Sequence, residues 1–226
     1  DMSVSAVVCA LAAAALFGLS VPAAKLLVGT IDPWMLAALF YMGSGVGLAI
    51  LRIAQGLRGT RSETPLVRTD IPWLASAIVF GGVIGPILLM IGLSLTEATA
   101  VSLLLTLEGA ATALIAWFVF RENFDRRIAT GMLFIVVGAA ILSWRSGVTL
   151  HGAVGPLAVA GACLAWGIDN NLTRKVSLAD PVQIAMLKGV VAAPVTFGLA
   201  LANGAALPQL GTAIMAALVG FLGYGI

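Results

Sequence analysis

Charge is what this sequence has least of. Only 10% of its 226 residues are Asp, Glu, Lys or Arg, against about 25% in an ordinary soluble domain. Hydrophobic residues make up 61% and the mean hydropathy is +1.09. So few charges cannot cover a water-facing surface, and the balance is that of a membrane protein. Histidine occurs once, as His151, and cysteine twice, as Cys9 and Cys163. A metal centre or a Cys/His nucleophile pair needs companions at ligand spacing, and none stands near these residues. Both cysteines fall inside apolar runs and read as small packing side chains. The formal net charge of +2 comes from clustered loop residues, so no nucleic-acid partner is expected.

What the chain does have is long apolar segments. A membrane-crossing helix needs about 20 of them in a row. Seven such segments are predicted, at Val4 to Val28, Trp34 to Ala54, Ile71 to Leu95, Ala98 to Phe120, Ile128 to Trp144, Gly152 to Leu172 and Pro181 to Leu201. An eighth opens at Leu210 and is cut short. The first has no basic residues ahead of it and is soon followed by another span, so it reads as a true helix and not as a signal peptide. The chain starts Asp1-Met2 and stops at Tyr224-Gly225-Ile226 within an apolar run, which reads as a fragment lacking two further spans.

Two stretches are worn copies of each other. Phe17-Gly18-Leu19-Ser20, closing on Ala24-Lys25-Leu26, is answered by Trp166-Gly167-Ile168-Asp169, closing on Thr173-Arg174-Lys175. Asp32-Pro33 opens the second span and Asp180-Pro181 the seventh; Gly82-Val83-Ile84-Gly85 in the third answers Gly220-Phe221-Leu222-Gly223 in the eighth. The copies lie five spans apart, and an odd number forces opposite orientations. Loop charges agree with this: Arg52, Arg58, Arg61, Arg68, Arg121, Arg126, Arg127, Arg174 and Lys175 all fall on one side, which the positive-inside rule makes cytoplasmic. The amino terminus is then cytoplasmic too. The predicted fold is all-α: a polytopic integral membrane helical bundle with a 5+5 inverted-topology repeat. Residues 4–144 form the first repeat and residues 152–226 a second, truncated in its third helix. Such repeats characterise secondary transporters.

Few polar residues lie within the spans. Glu108 comes ten residues after Ala98, about 15 Å into a core about 30 Å thick. An ionised side chain at that depth costs about 2.5–3.5 kcal/mol on insertion scales. It reads either as a proton-coupling or cation-binding carboxylate facing a cavity, or as a neutral group bonded across helices. Asp169 and Lys188 lie at similar depths, roughly 8 and 10 Å from one face, and can pair; the pair either opens to bind a zwitterionic or anionic solute or holds two helices together. Asn170 and Asn171 stand where the first copy has Val21-Pro22, so both copies are expected to be irregular there. Phe17 and Trp166 precede those points and either wall a cavity or pack. Gly43-Ser44-Gly45-Val46-Gly47 permits close helix contact, inside the bundle or at a dimer face. Asp32, Glu97 and Asp180 read as solvated helix caps, and the charged stretch Arg121 to Arg127, with Phe124 in its middle, as a hairpin between the fourth and fifth spans.

On these residues the chain resembles the EamA family of the drug/metabolite transporter superfamily. The likeness is carried by Phe17-Gly18 with Pro22 and Lys25, by Leu103-Leu104-Leu105 leading to Phe120-Arg121-Glu122, by Gly131 and Gly138, and by the restart at Trp166-Gly167. It implies a ten-helix carrier of small metabolites, amino-acid-like solutes or drugs, working by alternating access with neither cofactor nor covalent chemistry. Many family members have proline in the fourth span where this chain has Glu108, so the site chemistry of relatives need not transfer. The function expected is export of small organic solutes from a bacterial inner membrane, proton-coupled through Glu108, with a homodimer possible. The competing readings are an accessory membrane subunit and a membrane enzyme; the latter lacks a convergent acid–base pair.

Overall fold

A computed structural model describes residues 4–57, 66–123, 125–145, 153–176 and 179–225. Asp1, Met2, Arg58, Arg61, Phe124, His151, Gly152 and Ile226, all used above, lie outside the described residues. The described chain is helical almost throughout, with α1 at Val4–Val28, α2 at Pro33–Leu57, α3 at Ile71–Ala77, α4 at Gly85–Leu95 and α5 at Ala98–Leu104. Then come α6 at Leu107–Phe118, α7 at Arg126–Arg145, α8 at Val154–Arg174, α9 at Pro181–Ala202 and α10 at Leu210–Gly220. Among the described residues, five stretches have the length and apolar character to cross a membrane: Val7–Val28, Pro33–Leu57, Arg68–Leu95, Ala98–Phe118 and Pro181–Ala202. Helices α7 and α8 have 20 and 21 residues, which is long enough, but both are less apolar than those five, α7 through the arginines at its ends and α8 through the Asp-Asn-Asn run.

The chain divides into two compact units, one of Asp1–Ser62 with Pro181–Ile226, the other of Glu63–Asp180. In the first unit α2 is the central helix, with Met35, Leu36 and Phe40 all but inaccessible. In a membrane, lipid solvates side chains as well as protein does, so helices associate through close packing. Gly45 lies against the backbone of Gly189 on α9, and Gly43 against that of Ala217 on α10, too near for a Cβ at either place. The small residues of the Gly43–Gly47 run are thus used inside this unit. Asp32 caps α2 by accepting from the N–H groups of Trp34 at 2.9 Å and Met35 at 3.3 Å. Asp180 differs from its reading as a solvated cap, being only 7% exposed.

The second unit packs α8 against α4 and α6. Gly155 meets Leu95 and Thr96, Gly92 meets Val159, and Gly167 meets the backbone at Ala111–Thr112. Beyond α6, Arg121 takes a left-handed φ of 56°, and the Glu122 N–H bonds back to the Ala116 carbonyl at 3.0 Å, closing the helix end. There Glu122 pairs with Arg174 at the end of α8, and the Lys175 ammonium sits 5.1 Å from the Phe120 ring centroid.

The irregular points differ from those expected. Helix α1 runs through Pro22 and α8 through Asn170 and Asn171 without a break. Interior proline is tolerated in membrane helices where neighbours re-satisfy the freed groups. The irregularities lie instead in three other places. The α-helix of the fourth span is interrupted only by a tightened turn at Leu105–Thr106, between α5 and α6, where both residues keep right-handed helical dihedrals and the Thr106 and Glu108 N–H groups bond three residues back. A π-helical segment occupies Ile78–Ile84 and another Phe221–Gly225. The first has a plain cause: Pro86 has no N–H to give to the Gly82 carbonyl, and the Gly85 N–H reaches one residue further back, to Phe80. Each π segment lies beside one of the glycine pairs that the sequence repeat aligns, the first holding Gly82 and ending before Gly85, the second starting after Gly220 and holding Gly223.

Candidate functional site

The polar residues of the second unit cluster on one stretch of α8. Successive residues on a helix point about 100° apart, so Asp169, Asn170 and Asn171 face different neighbours, and each bonds differently. Asn170 is exposed, and its amide donates both hydrogens to α6, to Glu108 Oε1 at 2.9 Å and to Thr112 Oγ1 at 3.1 Å. Glu108 and Thr112 are four residues apart on α6 and therefore on one face of it. Asn171 is buried, 1% exposed, and donates to two backbone carbonyls, those of Thr112 at 2.9 Å and Gly167 at 2.8 Å.

Asp169 is buried too, and its Oδ1 accepts from the Thr173 hydroxyl at 2.9 Å. Its carboxylate lies against Gly81 in the first π segment, where a Cβ could not fit. One turn earlier, the Trp166 indole donates to the Gly81 carbonyl at 3.1 Å, and its ring covers Gly85. Loosened i→i−5 bonding leaves such carbonyls open to side-chain donors, and π segments recur at functional sites for that reason.

Glu108 stands in the first turn of α6, just after the break in the fourth span. Cys163 covers the other side of the break, its thiol facing the Leu104 and Leu105 carbonyls at 3.5 and 3.9 Å.

Of the residues named from sequence, the structure joins Glu108 and Asn170 directly and sets Asn171 and Asp169 beside them on α8. Trp166 is buried and hydrogen-bonded. Phe17 and Lys188 belong to the first unit. Phe17 packs edge-on to Tyr224 with ring centroids 5.7 Å apart, and Tyr224 also meets Phe40 at 5.6 Å. Sequence reasoning missed Thr112 and Gly81. Thr112 was findable, since it lies one helical turn after Glu108; Gly81 was not, because its importance depends on a π turn. Among the described residues no cluster of His, Cys, Asp and Glu could hold a metal ion.

A helical membrane protein, with an interrupted span that carries a carboxylate within a polar network, is the class that this fold and site define. The EamA-like transporter family matches residues 4–144, more than half of the chain, and the chain belongs to that family. A protein of Methanothermobacter thermautotrophicus described as an uncharacterized transporter is 27% identical over 173 residues, covering 71% of this chain and 50% of the relative. The chain thus spans about half the length of that curated relative. A crystal structure of another protein aligns over 98% of this chain and 76% of its own, with a TM-score of 0.68 at 19% identity, a likeness of fold.

Proposed function

We propose that this chain belongs to a secondary transporter that moves small organic solutes across a membrane by alternating access, with Glu108 as the group that takes up and releases the coupling proton. The observation that carries the reading is the Asn170–Glu108 hydrogen bond beside the interrupted fourth span. A carboxylate at membrane depth is costly unless it faces a cavity or a partner, and such residues mark substrate and proton pathways. The π segments beside the aligned glycines of the third and eighth spans support the reading of two copies, residues 4–144 and 152–226, in opposite orientations. Loop charge supports a cytoplasmic amino terminus, and a bacterial inner membrane and export are the location and direction we favour.

In this scheme Asp169, Asn170 and Asn171 line or shape the solute path on α8, and within their own units Lys188 supplies a positive group and Phe17 and Trp166 apolar surface. No cofactor is needed, because the ion gradient supplies the drive. The test is Glu108→Gln in proteoliposomes with an imposed pH gradient and a panel of amino acids, amines and small drugs. Loss of gradient-driven flux, in a variant that stays folded and monodisperse, is the expected result. Flux at the unaltered rate would remove Glu108 from the mechanism.

A further inference from the structure

The network around Glu108 has a hydrogen-bond polarity that narrows the solute class. Both N–H groups of Asn170 are spent, one on Glu108 Oε1 and one on Thr112 Oγ1. That fixes the amide with its oxygen as the unspent end. Glu108 has accepted at one carboxylate oxygen, so Oε2 is open, and Thr112 Oγ1 has taken one bond of the two its lone pairs allow. Three oxygens thus remain, one carboxylate, one amide carbonyl and one hydroxyl, held in a single network bridged by one side chain. None of the recorded bonds to Glu108, Asn170 or Thr112 comes from a Lys, Arg or His. Such a group repels anions and accepts donors.

We infer that the site takes the protonated primary amine of an organic solute, whose N–H donors suit the acceptor oxygens of Glu108, Asn170 and Thr112. An ammonium group carries three donors and no acceptor, and charge-assisted bonds to a carboxylate are the strong kind. A bare metal cation fits less well: calcium takes six to eight oxygens and magnesium a full octahedron, where this network offers three. The inference rests on the transport reading only for the solute's passage, since the binding preference follows from the network itself.

Ligand chemistry tests it without altering the protein. The full chain in lipid nanodiscs is titrated calorimetrically with 2-phenylethylammonium, its N,N,N-trimethyl derivative, 2-phenylethanol and 3-phenylpropionate. The primary ammonium is expected to bind at least about tenfold more tightly than each of the others. The trimethyl derivative keeps the charge and loses every N–H, so its weakness separates hydrogen-bond matching from simple attraction. Thr112→Val, which keeps the side-chain shape, is expected to weaken primary-ammonium binding several-fold and leave the trimethyl derivative unaffected. Equal binding of the two cations, or preference for the alcohol or the carboxylate, overturns the inference. Gradient-driven, Glu108-dependent flux of neutral or anionic solutes alone would also overturn it while sparing the transport reading. Selective binding of the primary ammonium without flux of any solute would support it and sink transport.

Discussion

Asn170 and Asn171 are chemically identical neighbours whose substitution should have opposite consequences. Asn171 is buried and links α8 to the Thr112 carbonyl of α6. An interhelical hydrogen bond in a membrane protein contributes about 0.6 kcal/mol on average and up to about 1.7. The second bond, to Gly167 on the same helix, adds little, because a carbonyl in mid-helix already accepts from a backbone N–H. Removing the amide also leaves space in a close-packed interface, for about 1 kcal/mol more. Asn171→Ala should therefore cost about 1.5–3 kcal/mol, roughly a 10- to 100-fold change in the unfolding equilibrium. Asn170 is exposed and its partners can find others, so Asn170→Ala should cost less than about 1 kcal/mol while impairing solute binding. Both are measurable by equilibrium unfolding in mixed micelles of dodecyl maltoside and sodium dodecyl sulfate, followed by tryptophan fluorescence. Equal destabilisation by the two substitutions, or an Asn171→Ala protein as stable as the parent, would refute the assignment of structural and binding roles.

Two further outcomes follow from the packing. Gly45→Val places side-chain atoms where the Gly189 backbone lies, so α2 and α9 must separate; a loss of at least about 1–3 kcal/mol should show as a lower Tm of the purified protein, and an unchanged Tm would mean that the helices do not cross there. The Arg174–Glu122 pair is substantially exposed, at 47% and 34%, so a double-mutant cycle with Arg174→Ala and Glu122→Ala should yield a coupling below about 1 kcal/mol that shrinks with added salt.

The helical, membrane-crossing character was legible because composition alone forces it, and the family because Phe17-Gly18, Phe120-Arg121-Glu122 and Trp166-Gly167 stand in order. Glu108 was legible as an acid in an apolar run. Its partner Asn170 was named, but the bond between them could not be read, since it depends on which faces of α6 and α8 meet. The break at Leu105–Thr106 was hidden for a different reason: no proline or glycine marks it, and the run Leu103-Leu104-Leu105 reads as uninterrupted helix. Conversely, Pro22 and the Asn-Asn pair looked like breaks and are not. Local propensity is a weak guide where lipid removes water as a competing partner for the backbone, because an intact helix then keeps the most hydrogen bonds made.

The π segment at Ile78–Ile84 also bears on how this span tolerates changes in length. An i→i−5 bond spans one residue more than an α-helical one, so the segment holds a surplus residue relative to a plain α-helix. Deleting a residue elsewhere in a span turns everything beyond it by about 100° and carries its packing face toward lipid. Deletion within Ile78–Ile84 removes that surplus residue and leaves an intact span in α-helical register, short only of the bond that Pro86 cannot make. What it displaces is the buried Gly81 carbonyl that receives Trp166. Relatives one residue shorter here would keep the scaffold and lose this one anchor, making the third span a place where the family can change its chemistry without changing its fold.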